Sequence, residues 1–173
     1  MNQFAIAAMG TDRPGIVAAV GEAILGVGGN IDDSSMTILG GHFAMLLVVQ
    51  VEGDADQLES TLRPVAEKFE LMLEVRTAAM HPFSDVDRDD YVVAAYGPDK
   101  PGLVSTISRV LAGADANIND FGSRLGADHT FAMWFNVSLA EGTDTAALGE
   151  QLRAEGRDLG LDIRLYRAEV EDL

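Results

Sequence analysis

One stretch occurs twice in this chain, and it limits the fold more than any other feature. The first copy reads Met9-Gly10-Thr11-Asp12-Arg13-Pro14-Gly15-Ile16-Val17 and the second Tyr96-Gly97-Pro98-Asp99-Lys100-Pro101-Gly102-Leu103-Val104. Each follows a short apolar run, Phe4 to Ala8 and Tyr91 to Ala95, and each leads into Asn-Ile, at Asn30-Ile31 and Asn117-Ile118. From Asp12 to Asp99 is 87 residues, and so is the step from Asn30 to Asn117. Motif, spacing and surroundings recur together, which marks a duplicated domain. Length agrees: 173 residues divide into two units of modest core.

The repeated stretch reads as a strand-to-helix junction. Gly10 and Gly97 permit a sharp exit from a strand at positive φ. Asp or Thr then caps the helix, and Pro is tolerated in its first turn because it lacks only a donor that has no intrahelical partner there. The following Gly leaves room for close approach to the backbone. Free N–H groups and the positive end of the helix dipole suit a carboxylate at that point. A lone Asp-x-Pro-Gly is also an efficient turn with no further role. Two copies followed at equal distance by Asn-Ile favour a shared function.

Along the first half, Phe4 to Met9 is a strand signal, and Ile16, Val17, Val20, Ala23, Ile24 and Val27 recur at helical spacing. Ile31 to Leu39 and Phe43 to Val51 read as strands around the turn Gly40-Gly41-His42. Ala55 to Phe69 reads as a helix that the interior Pro64 should kink or break. Leu71 to Ala78 is the last strand of this half. The charge-rich, aperiodic Met80 to Asp90 reads as a linker, so the expected domains are 1–79 and 91–173. The second half repeats the order: strand Tyr91 to Tyr96, helix Pro101 to Ala114, strands Ile118 to Leu125 and Thr130 to Leu139, helix Thr143 to Leu159 and strand Asp162 to Val170. The turn Gly126-Ala127-Asp128-His129 separates the middle strands, and there the copies drift by one residue, Phe43-Ala44-Met45 matching Phe131-Ala132-Met133.

Each half is thus strand-helix-strand-strand-helix-strand. The expected fold class is α+β, two ferredoxin-like βαββαβ domains whose antiparallel sheets carry helices on one face. The opposite face must be covered or solvated; pairing of the halves, or of two chains in a homodimer, would cover it. The apolar run Leu46 to Val49 favours covering in the first half.

Composition excludes several classes. Twelve Lys and Arg against 28 Asp and Glu give a net charge of −16 and no basic patch, so direct nucleic-acid binding is not expected. Without cysteine there is no disulfide or thiol chemistry. No leader and no membrane-length apolar run stand out, which reads as a cytoplasmic protein that does not enter a membrane. His42, His81 and His129 lack companions at metal-ligand spacing, and Ser34, Ser35 and Ser105 lack the context of a nucleophile. No phosphate loop occurs, and no metal, cofactor or catalytic constellation is expected. Met36, Met45, Met133 and Trp134 read as core residues.

A strand, Gly-x-Asp-Arg/Lys-Pro-Gly-Ile/Leu-Val, a helix, Asn-Ile, and Phe-Ala-Met on a third strand resemble the ACT domain. Two copies with little else resemble the tandem-ACT proteins of the glycine cleavage system transcriptional repressor type. The resemblance implies a non-catalytic, amino-acid-sensing regulatory protein. Its ligand would be a small amino acid, and its partner a transcription factor or a biosynthetic enzyme; the alternative is a ligand-independent assembly module in which the duplicated loops serve as turns. It also implies a ligand site where the first strand-helix loop meets the start of the second strand, often between two domains. In this chain that maps onto Asp12, Pro14, Gly15, Ile16, Asn30 and Ile31, and onto Asp99, Pro101, Gly102, Leu103, Asn117 and Ile118. Loop amides would hold the α-carboxylate, Asp12 the α-ammonium, and Asn30 would offer a donor and an acceptor. Asn30 also suits a helix end in left-handed conformation. Gly28-Gly29 in the first copy becomes Asp115-Ala116 in the second, which favours the first site.

Overall fold

The computed structural model describes residues 1–78, 88–127 and 130–168. It separates into two compact units, Met1–His81 and Pro82–Leu173. Most of the linker expected over 80–90, together with His81, His129 and the end of the last expected strand, lies outside the described residues. The linker's last three residues do not: Arg88, Asp89 and Asp90 already belong to a strand.

The first unit runs β1 (Asn2–Thr11), α1 (Ile16–Gly26), β2 (Asn30–Leu39), β3 (His42–Val51), α2 (Ala55–Phe69) and β4 (Met72–Thr77). Its strands form an antiparallel sheet in the order β2-β3-β1-β4. The second unit runs β5 (Arg88–Pro98), α3 (Leu103–Gly113), β6 (Asn117–Leu125), β7 (Thr130–Ala140), α4 (Thr145–Leu159) and β8 (Asp162–Arg167), in the order β6-β7-β5-β8. Each unit is the expected ferredoxin-like βαββαβ fold.

Period-two alternation builds each core. In β3, Phe43, Met45, Leu47, Val49 and Val51 face inward, where Phe4, Ile6 and Ala8 of β1 meet them. Ile16, Val20 and Ile24 of α1 and Leu58, Leu62 and Phe69 of α2 close the core from the helix side. Each such side chain contributes about 1.5–3 kcal/mol by leaving water. Val93, Ile107, Leu111, Phe135, Leu139 and Leu152 play the same part in the second unit.

Three expectations need correction. Gly10 and Gly97 do not turn the chain at positive φ; both continue their strands. Their lack of a side chain serves packing instead. A Cβ on Gly10 would lie 2.8 Å from Leu71 Cδ2, and one on Gly97 2.7 Å from the Gly160 carbonyl oxygen. Pro64 does not break α2, which is continuous from Ala55 to Phe69. It sits on the exposed side of the helix, while Leu58, Leu62 and Phe69 hold both halves to the core. Finally, Met45 and Met133 are core residues, but Met36 and Trp134 are 48% and 41% exposed. Trp134 stands on the sheet face opposite the helices, as do Met9, Leu46 and Met72 of the first unit.

Candidate functional site

Among the described residues, the four helices differ in how they begin. At α2, Asp54 accepts from the Gln57 backbone N–H at 2.9 Å, and Gln57 Oε1 accepts from the Asp54 N–H at 3.2 Å. At α4, Asp144 accepts from the Ala147 N–H at 2.9 Å. By contrast, α1 begins on Gly15 at φ 95° and α3 on Gly102 at φ 94°, and neither has a side-chain cap. The expected cap by Asp or Thr is therefore absent, because the left-handed Gly intervenes between Asp12 or Asp99 and the helix. That φ suits Gly alone without strain. The outcome is a pair of helix starts whose first-turn amides are left without a side-chain acceptor.

The loop before α1 is held at two successive residues near its start. The Asp12 N–H donates to the Gly41 carbonyl at 3.0 Å, which ties it to the β2–β3 turn. Arg13 pairs with Glu70, the left-handed residue that ends α2. In the second unit the corresponding helix end is Gly160 and the basic residue is Lys100. Asp12, Pro14 and Gly15 are exposed, as are Asp99, Pro101 and Gly102. Ile16 and Leu103 are buried core residues and present no side chain to a ligand at this point.

Asn30 is elsewhere. Its Cα pairs with Gln50, whereas Thr11, next to the loop, pairs with His42. Eight residues of β3 separate those positions, about 27 Å at roughly 3.4 Å per residue. In a strand-helix-strand unit the helix carries the chain back across the sheet, so the loop after β1 and the start of β2 occupy opposite ends. Within one unit, a small amino acid cannot touch both. The same register separates Pro98, opposite Thr130, from Asn117, opposite Ser138.

Neither is Asn30 the left-handed residue at the helix end; Gly28 is, at φ 71°, and Asp115 takes that conformation in the second unit at φ 52°. Asn30 organises a bulge instead. The β2–β3 register shifts between Ile31 and Asp33, leaving Asp32 as the extra residue, and β6–β7 shifts likewise between Ile118 and Asp120. Asn30 Nδ2 donates to Asp32 Oδ1 at 3.2 Å, and Asp32 Oδ2 accepts from Gln50 at 2.8 Å and Gln3 at 3.3 Å. Chiefly the Gln50 bond, helped by Gln3 and Asn30, holds the Asp32 carboxyl below the ordinary carboxylate range. In the second unit Asn117 donates to Asn119 at 2.7 Å, Asn119 to Ser138 at 2.5 Å and Ser138 to Asp90 at 2.9 Å. The Gly28-Gly29 to Asp115-Ala116 difference thus falls at the bulge end, away from the loops.

A hollow of about 200 Å³ lies between α1 and the sheet of the first unit. Val17, Val20 and Gly21 form its helix wall, and Ile31, Ser34 and Met36 belong to its strand wall. Val17 also belongs to the uncapped first turn, so the hollow adjoins the free amides. Of the sequence-derived site residues, only Ile31 lines it. Its helix-side signal was Val17, which fits the helical period yet is 51% exposed.

The family described as ACT domain matches residues 2–76 and 90–166. A UPF0237 protein of Methanopyrus kandleri is 39% identical over 80 residues, covering 46% of this chain and 88% of that protein. The glycine cleavage system transcriptional repressor of Escherichia coli is 28% identical over 124 residues, covering 71% of this chain and 65% of the repressor. A solved structure of an unknown protein from Galdieria sulphuraria superposes with a TM-score of 0.84 at 27% identity, covering 97% of this chain and 99% of that one. With both halves matched by the same family and both folded as it implies, the chain belongs to the ACT domain family, carried here in tandem.

Proposed function

We propose that this chain is a non-catalytic amino-acid sensor whose occupancy is read by a protein partner, a transcription regulator of amino-acid metabolism such as that of glycine. The observation that carries the reading is the pair of uncapped helix starts behind Gly15 and Gly102, where the other two helices among the described residues are capped by Asp54 and Asp144. Free first-turn amides suit the α-carboxylate of an amino acid, and Asp12 and Asp99 stand in the same loops for its ammonium. The candidate contacts for its charged groups are Asp12, Pro14 and Gly15, and Asp99, Pro101 and Gly102. Kinship with the Escherichia coli repressor supports a transcriptional role. A net charge of −16 supports an indirect one, through a partner that itself contacts DNA.

The test is thermal stability of the full chain against the common amino acids, since a ligand that binds only the folded state raises its midpoint. At least one amino acid should do so. Asp12→Ala, which removes the carboxylate offered to the ammonium, should weaken that response at least tenfold in concentration while circular dichroism stays unchanged. No response to any amino acid would sink the sensor reading. Pull-down with the tagged chain should then recover a DNA-binding protein; recovery of a biosynthetic enzyme instead would make the chain a regulatory subunit.

A further inference from the structure

Duplication offers a comparison inside one molecule. Ser34 of β2 stands across from Leu47, and at the matching place in the second unit Phe121 of β6 stands across from Phe135. The two phenyl rings stack, with centroids 5.5 Å apart and planes 16° from parallel. Phe135 is fully buried and Phe121, itself 51% exposed, stacks on it from the helix side of the sheet. A second difference agrees with the first. Val17 and Ile31, on opposite walls of the hollow, are 51% and 41% exposed. Their counterparts Val104 and Ile118 are partly buried and pack against the second core.

We propose that the hollow between α1 and β2 is a subsite for the apolar side chain of a small ligand, and that Phe121 occupies the corresponding place in the second unit. The chain then has one open subsite and one that is filled from within. Resting on the amino-acid reading above, the proposal names the ligand class: an amino acid with a branched aliphatic or aromatic side chain. Its apolar side chain would enter the hollow against Val17 and Ile31. A residue without a side chain, such as glycine, would leave that apolar surface in water.

Calorimetry with L-leucine, L-phenylalanine and glycine, on the parent chain and on Ser34→Phe and Phe121→Ser, tests this. Circular dichroism controls for folding, and Ser34 is exposed, so its replacement should leave the fold intact. The parent should take one equivalent of leucine or phenylalanine and bind glycine at least tenfold more weakly. Ser34→Phe should weaken apolar binding at least tenfold, and Phe121→Ser should add a second equivalent. Binding of leucine or phenylalanine that Ser34→Phe does not alter would overturn the subsite and leave the sensor reading standing. If no amino acid binds, benzene separates the two readings. A benzene-dependent rise in the parent's melting midpoint that Ser34→Phe removes would uphold the subsite while the sensor reading falls; no rise would overturn both.

Discussion

Asp32 shows how a single residue of a duplicated chain acquires a duty. Three amide side chains converge on its carboxylate at a β-bulge, where Asn119 serves in the second unit. The folded state holds the Asp32 carboxyl below its ordinary range, chiefly through Gln50, so the unfolded chain takes up this proton first as pH falls. The stability that the carboxylate adds is present above the unfolded value of about 3.9 and is lost as pH falls through the lower folded one. Asp32→Asn, which installs the second unit's own residue, should be less stable than the parent at pH 7. The gap should close in acid unfolding curves below about pH 4, and a gap independent of pH would refute the carboxylate's part. Asn30 marks where residue-level reading of the sequence stopped. Its recurrence marks it as a residue with a duty, and the structure shows one such duty, bracing the bulge through Asp32. Only cross-strand register puts it about 27 Å from the loop.

At the scale of elements the sequence was more legible, because helices and strands follow from periods that local chemistry enforces. Ala55 to Phe69 was readable to the residue: Asp54 and Gln57 close its start, and Leu58, Leu62 and Phe69 fall on one face. Asp54→Ala should cost about 1 kcal/mol, the usual worth of such a cap, measurable as a lowered denaturation midpoint with unchanged denaturant slope. A loss near zero would mean that the core contacts alone hold α2. Pro64 misled because a rule about one missing hydrogen bond ignores the tertiary packing on either side of it. Gly10 misled similarly. A glycine ending an apolar run signals a turn, but the pressure on Gly10 comes from Leu71, sixty-one residues away in sequence and visible only once β4 lies beside β1. The helix starts at Gly15 and Gly102 were expected to be capped, and their missing caps became apparent only by contrast with α2 and α4.

For the molecule as a whole, duplication fixed the architecture, since one βαββαβ pattern read twice left little freedom in topology. It also left the outer strands of each sheet, among the described residues, paired on one side only. All ten residues of β2 are exposed, and its outer rim presents backbone donors and acceptors that no strand of its own sheet engages. Such a rim is a template on which further chains can stack. Here Asp32 and Asp33 stand beside it, in a chain that carries −16 overall. That charge therefore acts as a colloidal guard: at low ionic strength two copies repel before their rims can meet. Added salt shortens the reach of the repulsion to about 10 Å at 0.1 M and about 3 Å at 1 M. Static light scattering should accordingly show self-association rising with sodium chloride concentration at neutral pH, the reverse of what attraction between opposite charges gives. An apparent mass that falls with salt would show that the chain's contacts are held by charge. At high protein concentration the acidity would then be less a means of attracting partners than a way of keeping identical neighbours apart.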